Sequence, residues 1–308
     1  MEGGPSSYKE AFKKSEKTVC RLSLIDIQGV PLKSQIVNNL DSILQFCPDP
    51  SDLLISTYPK AGTTWVQEIV DLLLNNGDAE ACKRAPIISR NPFLDSCLPP
   101  PLPSGLDLLK EMKPPRVIKT HMPIQLVPKG FWDNKCKVIY VARNAKDNVV
   151  SYFYFDQMNL THPEPGPWDG YIQKFMKGQL SWGSWYDHVK SYWRERKERN
   201  ILYLLYEDLK ENPVREIKKI RQYLGVLVSD DVIERIVQLT SFKTMKDNPM
   251  ANYSFIPKLL FDQSVSPFMR KGEVGDWVNH FTPAQSQVFD EDYAKQMKDV
   301  DIPFRFRI

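Results

Sequence analysis

Four stretches of the 308-residue chain hold residues suited to gripping an anion or moving a proton. TYPKAGTTW at 57–65 places Lys60, Gly62, Thr63 and Thr64 between an apolar run and the segment WVQEIVDLLL. A strand, a glycine turn and a helix in that order make an anion cradle. Free backbone N–H groups and the positive end of the helix dipole face the bound group, and glycine permits close approach. The triphosphate-binding pattern GxxxxGK[ST] is absent, because here the lysine precedes the glycine. Alone, the string also fits a plain strand–turn–helix corner with a solvated Lys60. VARNAKDNVVSYF offers Arg143 and Ser151, one able to grip a terminal phosphate bidentately and the other to add a hydrogen bond. An arginine at a helix start satisfied by Asp147 is the competing reading. FMRKGEVGDW offers Arg270 and Lys271 followed by Gly272 and Gly275, a basic loop able to close over an anion, or an exposed charged turn. Finally, His121 ends RVIKTH, and Lys119, two residues earlier on a strand, faces the same side.

Those residues need a frame. Short apolar runs alternate with longer periodic segments, which points to a mostly parallel sheet flanked by helices in one α/β domain spanning 1–308. Strands are expected over 52–57, 116–120, 137–142 and 200–206, and helices over about 63–75, 144–157, 213–224, 229–239 and 283–297. The last helix has a start signal: Thr282 as N-cap, Pro283 at the first helical position and Gln285 completing a capping box. Ligands of open α/β sheets gather at the carboxyl ends of the strands. All four chemical stretches fall where such loops are expected or can fold back onto them.

Composition narrows the class. Hydrophobic residues make up 42% and charged residues 26%, an ordinary globular mix. The net charge of +3 is too small for a basic nucleic-acid-binding stripe. The odd set of Cys20, Cys47, Cys82, Cys97 and Cys136 contains no CxxC pair, so reduced thiols and no structural metal are expected. Residues 1–20 have no apolar signal core and are expected to be flexible, and no apolar run is long enough to span a membrane. A cytoplasmic location is the expectation. Pro99, Pro100, Pro101 and Pro103 read as a surface loop.

The string TYPKAGTTW closely resembles the phosphate-loop signature of the cytosolic sulfotransferases. The resemblance continues through KTH at 119–121, VARNAKD at 141–147, YED at 206–208, TSF at 240–242 and FMRKGEVGDW at 268–277, and is similar to the phenol-type branch. It implies a P-loop-like fold and transfer of a sulfuryl group from PAPS (3′-phosphoadenosine 5′-phosphosulfate) to a small phenolic acceptor, leaving PAP, without a metal. It implies that Lys60, Ala61, Gly62, Thr63 and Thr64 cradle the phosphosulfate. Arg143, Ser151, Met269, Arg270, Lys271 and Gly272 would hold the 3′-phosphate end, and Trp65, Tyr206, Thr240 and Phe242 the adenosine. His121 would be the base, with Lys60, Lys119 and Ser151 completing the catalytic set. A phenol with pKa near 10 rarely ionises unaided at neutral pH, and imidazole is suited to taking its proton. Pro59, Phe93, Phe155, His162, Trp182, Tyr253, Leu260 and Phe261, beside Lys119 and His121, would line the acceptor pocket.

Two departures stand out. Ala61 occupies a position where many members have serine. The family's dimer pattern KxxxTVxxxE is degenerate over 278–287, where the chain reads VNHFTPAQSQ and only Thr282 survives. A homodimer is possible, but a weak dimer or a monomer is expected. Competing readings are a nucleotide kinase, which would need magnesium and the missing Gly-Lys, and a PAP binder without turnover.

Overall fold

A computed structural model describes residues 21–96 and 102–308. The expected flexible terminus at 1–20 and Pro99 to Pro101 lie outside the described residues. Apart from a hairpin of β1 (Leu24–Ile27) and β2 (Val30–Lys33), the strands are β3 (Leu53–Thr57), β4 (Val117–Thr120), β5 (Lys137–Ala142) and β6 (Ile201–Leu205). They form one parallel sheet in the order β4-β3-β5-β6. Each agrees with its expected span to within one residue at either end.

Every residue of β3 is buried, as expected of a central strand covered on both faces. Strand alternation sorts the core into two layers. Leu54, Ile118, Val138 and Tyr140 face one layer, and Leu53, Ile55, Val117, Ile139 and Val141 the other. The second layer is covered by α1 (Thr63–Leu74), α6 (Pro213–Leu224) and α7 (Asp230–Leu239), which contribute Val66, Ile69, Ile217, Ile220, Ile233 and Ile236. The first is covered by α2 (Ala145–Met158), α3 (Trp168–Met176), α4 (Trp185–Glu195) and α9 (Pro283–Met297), through Tyr152, Phe175, Trp185, Val189 and Phe289 among others. Short helices α5 (Tyr206–Glu211) and α8 (Phe242–Asp247) follow β6 and α7.

Side chains start most of these helices: Asn144, Ser184, Asn212, Ser229, Ser241 and Thr282 each accept a backbone N–H of the first turn. Thr282 and Gln285 form the expected capping box. Helix α1 differs. Its N-cap is Gly62 at φ 108°, and no side chain caps it. Its first-turn amides thus keep their hydrogen-bonding capacity at the point where the chain leaves β3 for β4 on one side and β5 on the other, a topological switch point.

Candidate active site

The turn from β3 to α1 builds the floor. Lys60 sits at φ 68° and Gly62 at φ 108°, both in the left-handed region. A Cβ on Gly62 would lie 2.8 Å from the Tyr206 ring, so only glycine lets α5 approach. Asn148 donates to the Pro59 carbonyl at 3.1 Å and fixes the turn from α2. The Ala61 side chain is fully buried and away from the cavity, so this residue can act only through its backbone, and the exchange for serine leaves the wall unchanged.

One cavity opens from this turn across the carboxyl ends of the sheet, and every other expected site residue lines it. Its two halves differ in character. In one, Trp65, Arg143, Ser151, Tyr206, Thr240, Phe242, Met269, Arg270, Lys271 and Gly272 gather around the start of α1. Arg143 does not pair with Asp147. Its guanidinium donates to the carbonyls of Lys60 (3.4 Å) and Glu273 (2.8 Å) and lies 4.4 Å from the Tyr206 ring centre. Asp147 is used instead by the amides of Gly275 and Trp277, at 2.7 and 3.0 Å. The Thr240 hydroxyl is engaged with the Ile236 carbonyl at 2.8 Å.

The basic loop after Phe268 is ordered by its own carboxylate. Asp276 accepts from Arg270 (2.6 Å), Asn279 (2.9 Å) and Lys271. Burial opposes its ionisation, yet these donors hold the carboxyl well below the usual range. Trp277 donates to the Phe306 carbonyl at 2.8 Å and so pins the end of the loop, while Asn144, at the start of α2, donates to the Arg305 carbonyl at 3.2 Å. Gly272, at φ 68°, presses on Phe242. A Cβ there would come within 2.2 Å of the ring.

The other half is aromatic. Phe93 and Trp182 meet the His121 ring edge-on, with centroids 4.9 and 5.2 Å away. Phe155, His162, Tyr253, Leu260 and Phe261 continue the wall, joined by Phe268. Trp182 and Tyr253 hold positive φ angles of 67° and 60°, so two of these walls carry backbone strain, which clusters at functional sites. Asp156 fixes His162 at 2.8 Å, and Asp95 accepts from the Trp182 indole at 2.7 Å and the Thr120 hydroxyl at 2.8 Å.

Between the halves stand His121, Lys119 and Lys60. The Nδ1 of His121 lies 2.8 Å from the Thr57 carbonyl, an acceptor only, so Nδ1 carries the proton and Nε2 keeps its lone pair. Burial, then the Lys119 charge, pushes this imidazole well below its ordinary pKa, leaving it neutral at pH 7. Lys60 is pushed down to about 7 by burial and by the neighbouring Lys119, Arg143 and Arg270 charges. Lys119 is pushed down to about 8, again chiefly by burial. Lys60 donates to the Phe268 carbonyl at 3.2 Å and lies over the Phe155 and Phe268 rings. Lys60, Lys119 and Arg143 line one cavity without an ion-pair partner among the described residues, a concentration of positive charge that an anion would relieve.

Sequence reasoning missed Lys33, Asn91, Met245, Lys210 and Phe268 in the lining. Phe268 was within reach, since it opens the quoted loop motif. The others carry no local signal: Lys33 ends β2, Asn91 follows a short helix, and Lys210 and Met245 sit on the short helices α5 and α8. Among the described residues no group of three or more His, Cys, Asp or Glu is placed to hold a metal ion, and no helix is long and apolar enough to cross a membrane.

An open parallel sheet with an uncapped, glycine-led helix at its switch point, ringed by cations and facing a neutral histidine, defines a phosphate-handling α/β transferase. Comparison with known proteins narrows the class. The sulfotransferase domain family matches residues 50–301. Sulfotransferase 1 family member D1 of Mus musculus is 53% identical over 290 residues, covering 94% of this chain and 98% of its own. Sulfotransferase 1C2 of Homo sapiens is 50% identical, covering 92% and 96%. The crystal structure of mouse sulfotransferase SULT7A1 complexed with PAP superposes with a TM-score of 0.74 at 30% identity, over 90% of this chain and 96% of that one. Retinol dehydratase in a complex with retinol and PAP gives 0.82 at 25% identity, over 92% and 91%. The chain belongs to the sulfotransferase family, and its enzyme class is that of the PAPS-dependent sulfotransferases.

Proposed function

We propose that this protein sulfates the hydroxyl of small phenolic acceptors, with His121 as the base. The observation that carries this reading is the fixed tautomer of His121, whose Nε2 lone pair lies in an aromatic-walled cavity beside two lysines.

The residues present fit PAPS. Arg143 Nε, Arg270 Nε and Trp65 Nε1 are buried without a hydrogen bond among the described residues, although they belong to residues that line the cavity. When bound, PAPS supplies the sulfuryl group and departs as PAP. The backbone of Ala61 to Thr64 and Lys60 would hold the phosphosulfate. Arg143, Ser151, Arg270, Lys271 and Gly272 would hold the 3′-phosphate, with Met269 beside them, and Trp65, Phe242, Thr240 and Tyr206 the adenosine. Pro59, Phe93, Phe155, His162, Trp182, Tyr253, Leu260 and Phe261 would orient a flat aromatic ring.

His121 Nε2 takes the acceptor's hydroxyl proton as the oxygen attacks sulfur. The new O–S bond forms opposite the bond to the leaving phosphate oxygen, which departs with that bond's electron pair. Lys60 and Lys119 neutralise the charge that develops on the sulfuryl and leaving oxygens, a contribution on the order of 10²–10³ per donor. General-base loss costs about 10²–10⁴.

The test is PAP release from PAPS and a phenol panel without magnesium, beside His121→Ala. Acceptor-dependent release that falls by about 10²–10⁴ in the variant, with PAP affinity retained, is the expected outcome. Release that persists in the variant removes His121 from the role. PAP binding without turnover by the wild type favours a non-catalytic binder.

A further inference from the structure

We propose that Asn91 reads a second, neutral hydrogen-bonding group on the acceptor, a hydroxyl or carboxamide borne away from the hydroxyl that is sulfated. This inference rests on the phenolic-acceptor reading and specifies the substrate class within it.

Asn91 follows the short helix Ile87–Arg90, and its backbone amide donates to the Ile87 carbonyl at 2.8 Å. The next residues join the edge of the sheet. The Pro92 carbonyl accepts from the Lys119 amide at 2.9 Å, and Phe93 bridges to Lys119. This fastens Asn91 to the strand that ends in His121. Asn91 lines the same cavity as Ile88, Phe93, Tyr253 and Ile256, yet it is only 1% exposed. Both amide atoms, Oδ1 and Nδ2, lack a hydrogen bond among the described residues. Turning the amide over changes nothing, because neither end has a partner.

The neighbouring polar walls behave otherwise. Asp95 is engaged by Thr120 and Trp182, His162 by Asp156, and the Tyr253 hydroxyl by Thr64. Asn91 is thus a desolvated donor and acceptor set in an apolar wall, a costly arrangement that a matching ligand group relieves. A hydroxyl or carboxamide can both accept from Nδ2 and donate to Oδ1. An alkyl group can do neither and leaves the amide unpaired, which is how sites built to bond a hydroxyl reject its deoxy analogue. A carboxylate would leave Oδ1 without a donor, and an ammonium would meet Lys60 and Lys119 in the same cavity.

The experiment uses 4-alkylphenols of increasing tail length and their counterparts with a terminal hydroxyl. Affinity for the protein–PAP complex and kcat/KM are both measured, for wild type and for Asn91→Leu. Melting temperature and PAP affinity report on the fold of the variant, and Asn91→Val repeats the test should the leucine not be accommodated. At the tail length that reaches Asn91, the hydroxyl-to-alkyl ratio of the wild type falls by about tenfold or more in the variant. An unchanged ratio at every tail length overturns the proposal alone. Failure of every phenol to bind the wild-type complex overturns the acceptor reading and this inference with it.

Discussion

A carbonyl oxygen decides the chemistry of His121. Because Thr57 accepts from Nδ1, the ring presents a lone pair to the cavity without needing a carboxylate partner. In the proposed mechanism His121 acts as the neutral base and the lysines act in the opposite, protonated state. In the free protein His121 is deprotonated down to well below its ordinary pKa of 6.5, while Lys60 loses its charge near pH 7 and Lys119 near pH 8. The base form exists above the imidazole pKa and the cations exist below the lysine pKa values. The product is a kcat/KM profile that is level on the acid side of neutrality, is half lost near pH 7 as Lys60 discharges, and falls further through pH 8. Saturating PAPS brings negative charge to the lysines and raises their pKa values, so the decline in kcat moves to higher pH. A kcat/KM that keeps climbing to pH 9 contradicts this assignment.

Elements convert those residues into a site. Gly272 and Phe242 are tightly packed, so Gly272→Ala must push the ring aside and place alanine at φ 68°, costing roughly 1–2 kcal/mol for the backbone alone. A loss of PAP affinity of tenfold or more by calorimetry is expected, and unchanged affinity would show that the Phe242 ring does not contact the nucleotide. Below α1, Arg90 bridges Glu68 and Asp71, with side chains exposed by only 1%, 5% and 3%. Arg90→Ala strands both carboxylates and should destabilise the fold by about 3–5 kcal/mol in denaturant titration. A change under 1 kcal/mol would mean that Arg84, which also reaches Asp71, suffices.

At this scale the sequence was readable where signals are local. Runs such as KVIYVA and the glycine turn after β3 announce strand and cradle, and Thr282 with Gln285 announces α9. The hairpin β1–β2 turns at Gln28 and Gly29, which lacks the usual Asn-Gly or Asp-Gly signal. Helix α4 packs Trp185, Val189 and Tyr192 at helical spacing, but interleaved charges and bulky aromatics mask its period. Asn91 carries no motif at all. Its meaning arises only when distant segments enclose it. Asp276, which tethers Arg270 and Lys271, lies inside the quoted loop motif but reads there as one more surface charge.

For the whole molecule, the segment 278–287 bears on assembly. Pro283 begins α9 and has no amide to donate, and Val278 and Val288 stand about half exposed on the surface. Light scattering at micromolar concentration is expected to give a mass near the 35.7 kDa of one chain. A stable twofold mass would show that the lost lysine, valine and glutamate are not required for pairing.

The fastening of the basic loop to the Phe306 carbonyl, and of the start of α2 to the Arg305 carbonyl, has a consequence for synthesis. A ribosome extends the chain from its amino end, so the sheet strands, all within the first 205 residues, are available to pair long before those two carbonyls emerge. Nucleotide affinity should therefore arrive late and abruptly. A nascent protein halted before residue 305 can hold its central sheet and yet grip PAP poorly, so the ligand cannot template the early steps of folding and can only lock a chain translated past that point.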